Sequence, residues 1–490
     1  MVCSQGGRVS RPFRGVIHIL SSIMVMMAVV MCVPAAADAV THKLEWEWFL
    51  ATGFATGTVG VTGMLATRTA EPIRLSLREG FLLTCLGWLV VAFVGALPFL
   101  ALGISLTDAV FESLSALTTT GSTVLTGLDN LPPGTLLWRA LLQWVGGIGI
   151  LAVAILLLPL LRVGGMQVFR IESSDTSDLR LPNFAKTITG LMSLYVLLTV
   201  LCALLYEALG MTIFDAITHA MTTVSSGGFS THDASFGYFE NPALHWVAIV
   251  FMIVGALPFL LMLRAVYGSP RDLTRDQQVR GFLGFLAVTS VVMAFGLMHE
   301  SGLPFFEALT LTTFNITSIV TTTGYASADY TTWGFGFIGV FLVLMFVGGC
   351  SGSTAGGVKI YRFQLLVVVV RAHIRQLVSP NRLIPLRYNG RALAPDVPVS
   401  VLAFLAVFVA TIASITAILM MLGLDLVTAY SATVTAISNV GPGLGPVVGP
   451  AGNFQPLPDE AKWLLAFAML AGRLEVLALL VVLDPDFWRN

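Results

Sequence analysis

The chain has 490 residues, 56% of them hydrophobic and 11% charged, with a formal net charge of −1 and a mean hydropathy of +0.86. Soluble domains carry about a quarter charged residues, so this composition excludes an ordinary soluble protein and points to a membrane. No basic block suggests a nucleic-acid partner, and the five cysteines (Cys3, Cys32, Cys85, Cys202, Cys350) show neither metal-ligand spacing nor a disulfide framework.

In chain order, Arg8, Arg11 and Arg14 precede an apolar run over 16–33, and Ala35-Ala36-Ala37-Asp38-Ala39 looks like a signal-peptidase site. The apolar run through Ala37 approaches spanning length and a second apolar segment follows from Trp48. The segment is therefore expected to remain as a first transmembrane helix. About 20 apolar residues cross the hydrocarbon core. Spans are expected near 16–37, 48–66, 79–101, 135–161, 187–209, 242–263, 280–299, 335–372, 397–421 and 461–483, the 335–372 stretch being long and interrupted by glycines.

Basic residues alternate between loops. Arg68, Arg74 and Arg78 share one; Arg162, Arg170, Arg180 and Lys186 a second; Arg264, Arg271, Arg275 and Arg280 a third. Lys359, Arg362, Arg371, Arg375, Arg382, Arg387 and Arg391 fall in or beside a fourth, and Lys43, Arg139 and Lys462 are the exceptions in the alternate loops. The positive-inside rule puts the arginine-rich loops and the N-terminus in the cytoplasm.

Four runs of Thr, Ser or Asn end in glycine on the expected outer side. They are Thr118-Thr119-Thr120-Gly121, Val224-Ser225-Ser226-Gly227-Gly228, Val320-Thr321-Thr322-Thr323-Gly324 and Ile437-Ser438-Asn439-Val440-Gly441. They recur roughly a hundred residues apart, a long-period repeat. Asp108, Asp215 and Thr428 each stand thirteen residues ahead of Gly121, Gly228 and Gly441. Thirteen helical residues reach roughly 20 Å, short of a ~30 Å core, so such a helix dips in and returns. The third repeat departs, with Leu311 at that spacing and Glu307 one turn earlier. The shared phase favours Gly228 over Gly227 as the matched position.

A dipping helix ends with its partially negative C-terminus at mid-membrane, which favours a cation. The irregular turn after it is tolerated only where it is buried in protein or lines water. Carbonyls of Thr119, Thr120, Ser225, Ser226, Thr322, Thr323, Asn439 and Val440, with the glycines Gly121, Gly227, Gly228, Gly324 and Gly441, are the candidate ligands for a cation. Four such turns around one axis would form a ring of oxygens that replaces an ion's water shell. Helix-packing sites rich in Gly, Ser and Thr are the competing reading, but packing does not require half-length helices ahead of each run.

Several ordered segments carry a family resemblance. They include Phe111-Glu112-Ser113 leading to Ala116-Leu117-Thr118, then Gln143-Trp144-Val145-Gly146-Gly147 and Gly227-Gly228-Phe229-Ser230-Thr231-His232-Asp233. Gly348-Gly349-Cys350-Ser351-Gly352-Ser353-Thr354, Asn439-Val440-Gly441-Pro442-Gly443-Leu444-Gly445, Gly472-Arg473-Leu474-Glu475 and Phe487-Trp488-Arg489 complete them. The chain resembles the TrkH/TrkG members of the Trk/Ktr/HKT potassium-uptake superfamily over nearly its whole length.

The resemblance implies an all-α polytopic membrane protein with four pseudo-fourfold M1-P-M2 repeats plus two N-terminal transmembrane helices. The implied divisions are 1–75, 76–165, 183–270, 278–375 and 395–490. It also implies a homodimer in the bacterial inner membrane and a cytoplasmic TrkA-like NAD- or ATP-binding regulatory partner. The chain has no G-x-G-x-x-G fingerprint of its own, so no nucleotide cofactor is expected in it. Glycine at all four matched positions resembles the potassium-preferring members. One matched glycine per turn, against two in T-V-G-Y-G, suggests weaker discrimination.

Two intramembrane sites stand apart. Arg473 lies in the last span, where arginine costs about 2.5–3.5 kcal/mol on insertion scales; Glu475, on another helix face, is a poor partner. The resemblance puts Arg473 on the ion path below the filter. The 348–357 stretch, with Gly348, Gly349, Gly352, Ser353, Gly356 and Gly357, cannot sustain a regular helix cheaply. The resemblance supports a gating loop that a partner could pull through Lys359 and Arg362, a plain kink being the alternative. Asp108, Glu112, Asp215, Glu240, Glu307 and Asp329 are expected near the outer mouth, mostly as solvated or capping residues. His219, His232 and His245 form no metal or triad pattern. The leading expectation is channel-like potassium uptake, against a proton- or sodium-coupled secondary transporter; an intramembrane enzyme lacks any motif here.

Overall fold

A computed structural model describes residues 13–69, 75–156, 181–381 and 384–489. Cys3, Arg8, Arg11, Arg74, Arg162, Arg170, Arg180 and Arg382, and the division expected at 165, lie outside the described residues.

The first apolar length forms the helices Arg14–Val30 and Cys32–Val40, which pack against Trp46–Ala66. Asp38 ties this pair to the next unit by accepting the N–H of Gly134 at 2.5 Å. Four units of one design follow. The first has Leu77–Ala96, the half-helix Leu106–Leu117 and Pro133–Leu156; the second has Leu181–Ala208, Ile213–Val224 and Pro242–Gly255. The third has Gln277–Ser301, Phe305–Val320 and Phe335–Leu344; the fourth has Asp396–Met421, Leu426–Ser438 and Asp459–Arg473. This is a polytopic helical membrane protein with four M1-P-M2 repeats behind two N-terminal helical segments.

Among the described residues seven helices are long and apolar enough to cross a membrane, and an eighth span is bent. Three expected spans are not continuous. The 242–263 span turns by 99° between Pro242–Gly255 and Phe259–Val266, where Pro258 can supply no helical N–H. The 335–372 span is interrupted between Phe335–Leu344 and Ile360–Val378 by the glycine-rich stretch. The 461–483 span breaks between Arg473 and Val476–Leu483, where Glu475 adopts a φ of 56°.

Caps set where the half-helices begin. Ser105, Thr212 and Asp425 each stand sixteen residues ahead of the matched glycine. Their side chains accept the N–H of Asp108, Asp215 and Thr428, satisfying one of the unpaired donors of a helix start. The thirteen-residue spacing is thus the third helical position after a side-chain cap. The third half-helix starts instead after Pro304, without a side-chain cap, and has 16 residues against 12, 12 and 13. A 12-residue helix is roughly 18 Å long, so each enters the membrane without crossing it.

Candidate functional site

All four half-helices end in the same backbone lock. Thr119, Ser226, Thr322 and Asn439 have left-handed φ values of 53°, 55°, 57° and 54°. Their N–H groups donate to Ala116, Thr223, Ile319 and Ala436 at 3.0–3.2 Å. The next residues, Thr120, Gly227, Thr323 and Val440, donate to Ser115, Thr222, Ser318 and Thr435 at 2.8–3.0 Å. This pair of bonds is the Schellman motif, whose left-handed position is usually glycine. Three side chains here are Thr or Ser, and left-handed backbone costs such residues about 1–2 kcal/mol. Strain of this kind persists only where the surrounding structure holds it in place.

Two residues on, Gly121, Gly228, Gly324 and Gly441 again have positive φ, at 85°, 73°, 84° and 117°. A Cβ on Gly121 would come closer than 3.0 Å to the carbonyl oxygen of Gly227. The same holds for Gly228 against Thr323, Gly324 against Val440 and Gly441 against Thr120. Each glycine therefore abuts the carbonyl that precedes the next unit's glycine, and the fourth returns to the first. The ring closes. All four glycines line one concavity. Gly228, not Gly227, is equivalent to Gly121; Gly227 matches Thr120. Ser225 is the helix cap, equivalent to Thr118, and its hydroxyl turns back to Thr222 O at 3.3 Å.

Buried polar groups hold the ring's register. Gln143 Nε2 donates to Gly227 O at 2.6 Å, while its Oε1 accepts the N–H of Phe229 at 3.1 Å. Ser122 Oγ donates to Gly441 O at 2.7 Å, and Asn439 Nδ2 donates to Thr120 Oγ1 at 2.9 Å. Behind the first turn, the Arg139 guanidinium meets the Glu112 carboxylate at 2.8 Å, both fully buried. Arg139 also donates to Ser230 O at 2.9 Å and lies 4.0 Å over the Phe229 ring. Glu112 accepts the N–H of Val124 at 2.9 Å. Glu112 is thus no mouth residue: the pair stitches the first turn's exit to the second. Removing one partner of a buried pair costs about 3–5 kcal/mol. Arg139→Ala is expected to lower thermal stability by that order, while Glu112→Gln combined with Arg139→Met costs less. Equal melting of the single variant and the parent protein in detergent would contradict this.

The outer acidic residues divide by partner. Asp108 pairs with Lys462 of the fourth unit at 2.6 Å. His232 stacks on Tyr238 at 3.5 Å and lies between Asp129 and Asp215, at 2.5 and 3.5 Å. Burial opposes its charged form, but the two carboxylates outweigh burial and raise its pKa. The hydrogen bond from His232 correspondingly lowers that of Asp129.

On the opposite side of the turns lies the glycine-rich loop. Val347–Gly348 pairs in parallel with Val358–Lys359, so both ends of the loop are clasped together. Thr354 Oγ1 sits 2.9 Å from Ser226 Oγ, and Gly356 donates its N–H to Thr322 Oγ1 at 2.6 Å. The hydroxyls of two left-handed residues thus carry the loop. Cys350 N–H donates to Ala256 O at 2.9 Å. Arg473 Nη1 donates to Thr354 O at 3.0 Å, and its guanidinium lies 5.9 Å from the Trp88 ring centroid. Its Nε and Nη2 are buried without an acceptor among the described residues. A cavity beneath the turns is lined by Ser353, Gly356, Gly357, Asn439 and Arg473.

Two expectations change here. Lys359 donates to the carbonyls of Ala355 and Gly356 within the loop. Arg362 is buried against Glu475 at 2.8 Å and the Phe404 ring at 3.7 Å. Arg362 is therefore not displayed to a partner, and Lys359 braces the loop from within. Glu475 is indeed no partner of Arg473; the helix break turns it to Arg362. Sequence reasoning missed Arg139 and Gln143 as working residues. A charged residue inside an apolar span was the available signal for Arg139. Among the described residues no cluster of His, Cys, Asp and Glu suits a metal ion.

The chain has close relatives. A family model for TrkH, described as a cation transport protein, matches residues 49–486. The Trk system potassium uptake protein TrkI of Halomonas elongata is 45% identical over 487 residues, covering 98% of each chain. The Trk system potassium uptake protein TrkH of Escherichia coli K12 is 36% identical over 489 residues, covering 98% of this chain and 100% of its own. The crystal structure of the potassium transporter TrkH from Vibrio parahaemolyticus matches with a TM-score of 0.90 at 34% identity, covering 98% of this chain and 100% of that one.

Proposed function

The chain belongs to the TrkH family of cation transport proteins, and from that membership we propose that it takes up potassium ions through the ring of four turns. The observation that carries this reading is the cyclic contact of each matched glycine with the next unit's carbonyl. Such a ring can replace a potassium ion's hydration shell with backbone oxygens. Thr119, Ser226, Thr322 and Asn439 form the inner layer; Thr120, Gly227, Thr323 and Val440 the middle; the four glycines the outer. A single matched glycine per turn gives a short filter and moderate selectivity. No cofactor in this chain is needed for conduction.

The 348–357 loop and Arg473 form the barrier beneath. The loop bonds to Ser226 and Thr322 from below, and a fixed cation there opposes potassium. The protein works as a homodimer in the bacterial inner membrane, surrounded by lipid, with its arginine-rich loops in the cytoplasm. A soluble TrkA-like nucleotide-binding subunit docks on that side and releases the loop. The relatives' names support potassium as the cargo, and the loop's position supports the gate.

Expression in a potassium-uptake-deficient bacterium, with and without the soluble partner, tests this. Growth at low external potassium is expected with the partner; none in either case would reject the reading. In reconstituted bilayers the reversal potential should follow potassium alone. A shift with proton or sodium gradients would favour a coupled transporter.

A further inference from the structure

A further cavity, of about 500 Å3, opens on the arginine-rich side, shares no lining residue with the ring, and is lined by Arg264, Arg271, Arg275 and Arg391. Its walls are the helices Phe259–Val266 and Pro270–Arg275 and the paired strands Arg387–Tyr388 and Arg391–Ala392. We propose that this cavity binds a phosphate-bearing anion, the headgroup of an anionic lipid or a soluble phosphate compound, and that its occupant bears on the intramembrane loop.

The charge balance favours an anion. Asp272 and Asp276 are the acidic residues in the lining, but Asp276 is already committed. Its Oδ1 accepts the N–H of Val279 at 2.9 Å and its Oδ2 accepts Asn389 Nδ2 at 2.8 Å. Among the described residues the side chains of Arg264, Arg271 and Arg275 have no hydrogen bond or ion pair. Planar, forked guanidinium groups lining one hollow suit the several oxygens of a tetrahedral phosphate better than a single-point anion. The cavity also adjoins an apolar edge: Val266 and Tyr267 are 68% and 78% exposed. An exposed aromatic beside a basic cluster is the composition of a membrane interface facing anionic headgroups.

Both helical walls lead to the loop. The helix that carries Arg264 begins at Phe259, whose N–H donates to Gly352 O at 2.9 Å. The helix Gln277–Ser301 follows Asp276, and its Gln278 Oε1 accepts the N–H of Ser351 at 2.7 Å. Asn389 fastens the strand pair to that helix through Gln277, at 2.8 and 3.2 Å. An anion that draws the arginines together therefore pulls on the two elements holding Ser351 and Gly352.

The test uses the full chain and a Arg271→Gln, Arg275→Gln double variant, both positions being exposed and outside the ring. Retention of phosphatidylglycerol is measured by native mass spectrometry, and pyrophosphate binding by calorimetry in a zwitterionic detergent. The variant is expected to weaken at least one probe roughly tenfold or more. Loss of the lipid alone identifies a headgroup; loss of pyrophosphate alone identifies a soluble anion. Equal binding of both probes by variant and parent would overturn the site, including the case where only docking of the soluble partner suffers. Potassium flux in liposomes tests the link to the loop. In the parent it should change when the effective probe is added, and in the variant it should not. A parent indifferent to a bound probe would refute that link while leaving the ring's own role untouched.

Discussion

Gly228→Ala is expected to reduce potassium uptake to the background of the host strain while the protein still folds in the membrane. The new Cβ would lie closer than 3.0 Å to the carbonyl oxygen and carbon of Thr323, and near the Gly324 carbonyl carbon. These are backbone atoms of the neighbouring turn, so no flexible side chain can yield. The residue also sits at a φ of 73°, which costs alanine about 1–2 kcal/mol. The Thr323 carbonyl would have to rotate or withdraw, opening the ring that is proposed above to exchange hydration for backbone oxygens. Gly227→Ala offers a graded comparison: its Cβ would meet the side chain of Gln143, which can shift, so part of the uptake should survive. Tracer flux normalised to membrane-inserted protein measures both. Parent-like flux through Gly228→Ala would remove the ring from the conduction path.

Arg473→Ala is expected to raise flux in the absence of the soluble partner. Arg473 acts in two ways: it holds Thr354 through the carbonyl, and it places a buried cation in the cavity below the ring. A unit positive charge opposes a potassium ion by roughly 3 kcal/mol at a separation of about 5 Å and an effective dielectric of ~20, before hydration relieves part of it. An increase of roughly tenfold in basal flux is the expected scale. Arg473→Lys keeps the charge and should stay near the parent, which separates electrostatic blocking from loss of packing. Unchanged flux in a folded Arg473→Ala protein would place the arginine outside the path.

The features legible in the sequence were those that local chemistry repeats. Four Thr/Ser/Asn runs ending in glycine marked the turns, and the thirteen-residue spacing marked the capped helices leading to them. The third unit's departure was visible too, though its cause is a start at Pro304 without a side-chain cap. Less legible were features set by distant partners. Glu112 reads as a mouth carboxylate until Arg139, 27 residues on, reaches it. Arg362 reads as a surface handle until Glu475, 113 residues away, buries it. The left-handed Thr, Ser and Asn side chains could not be foreseen from propensity, because only the closed ring and the loop beneath justify their strain. The bend in the second unit did have a local sign in Pro258, which the strong apolarity of its surroundings masks.

The parallel clasp between Val347–Gly348 and Val358–Lys359 occurs in the third unit. If the clasped segment is the plug, as proposed above, obstruction enters the axis from one quarter instead of closing like an iris. Its release would break polar contacts with the second, third and fourth units, at Ala256, Thr322 and Arg473. On the proposed reading, moving this one segment would open the conduit and would release the contacts that tie it to Ser226 and Thr322 in the turns above.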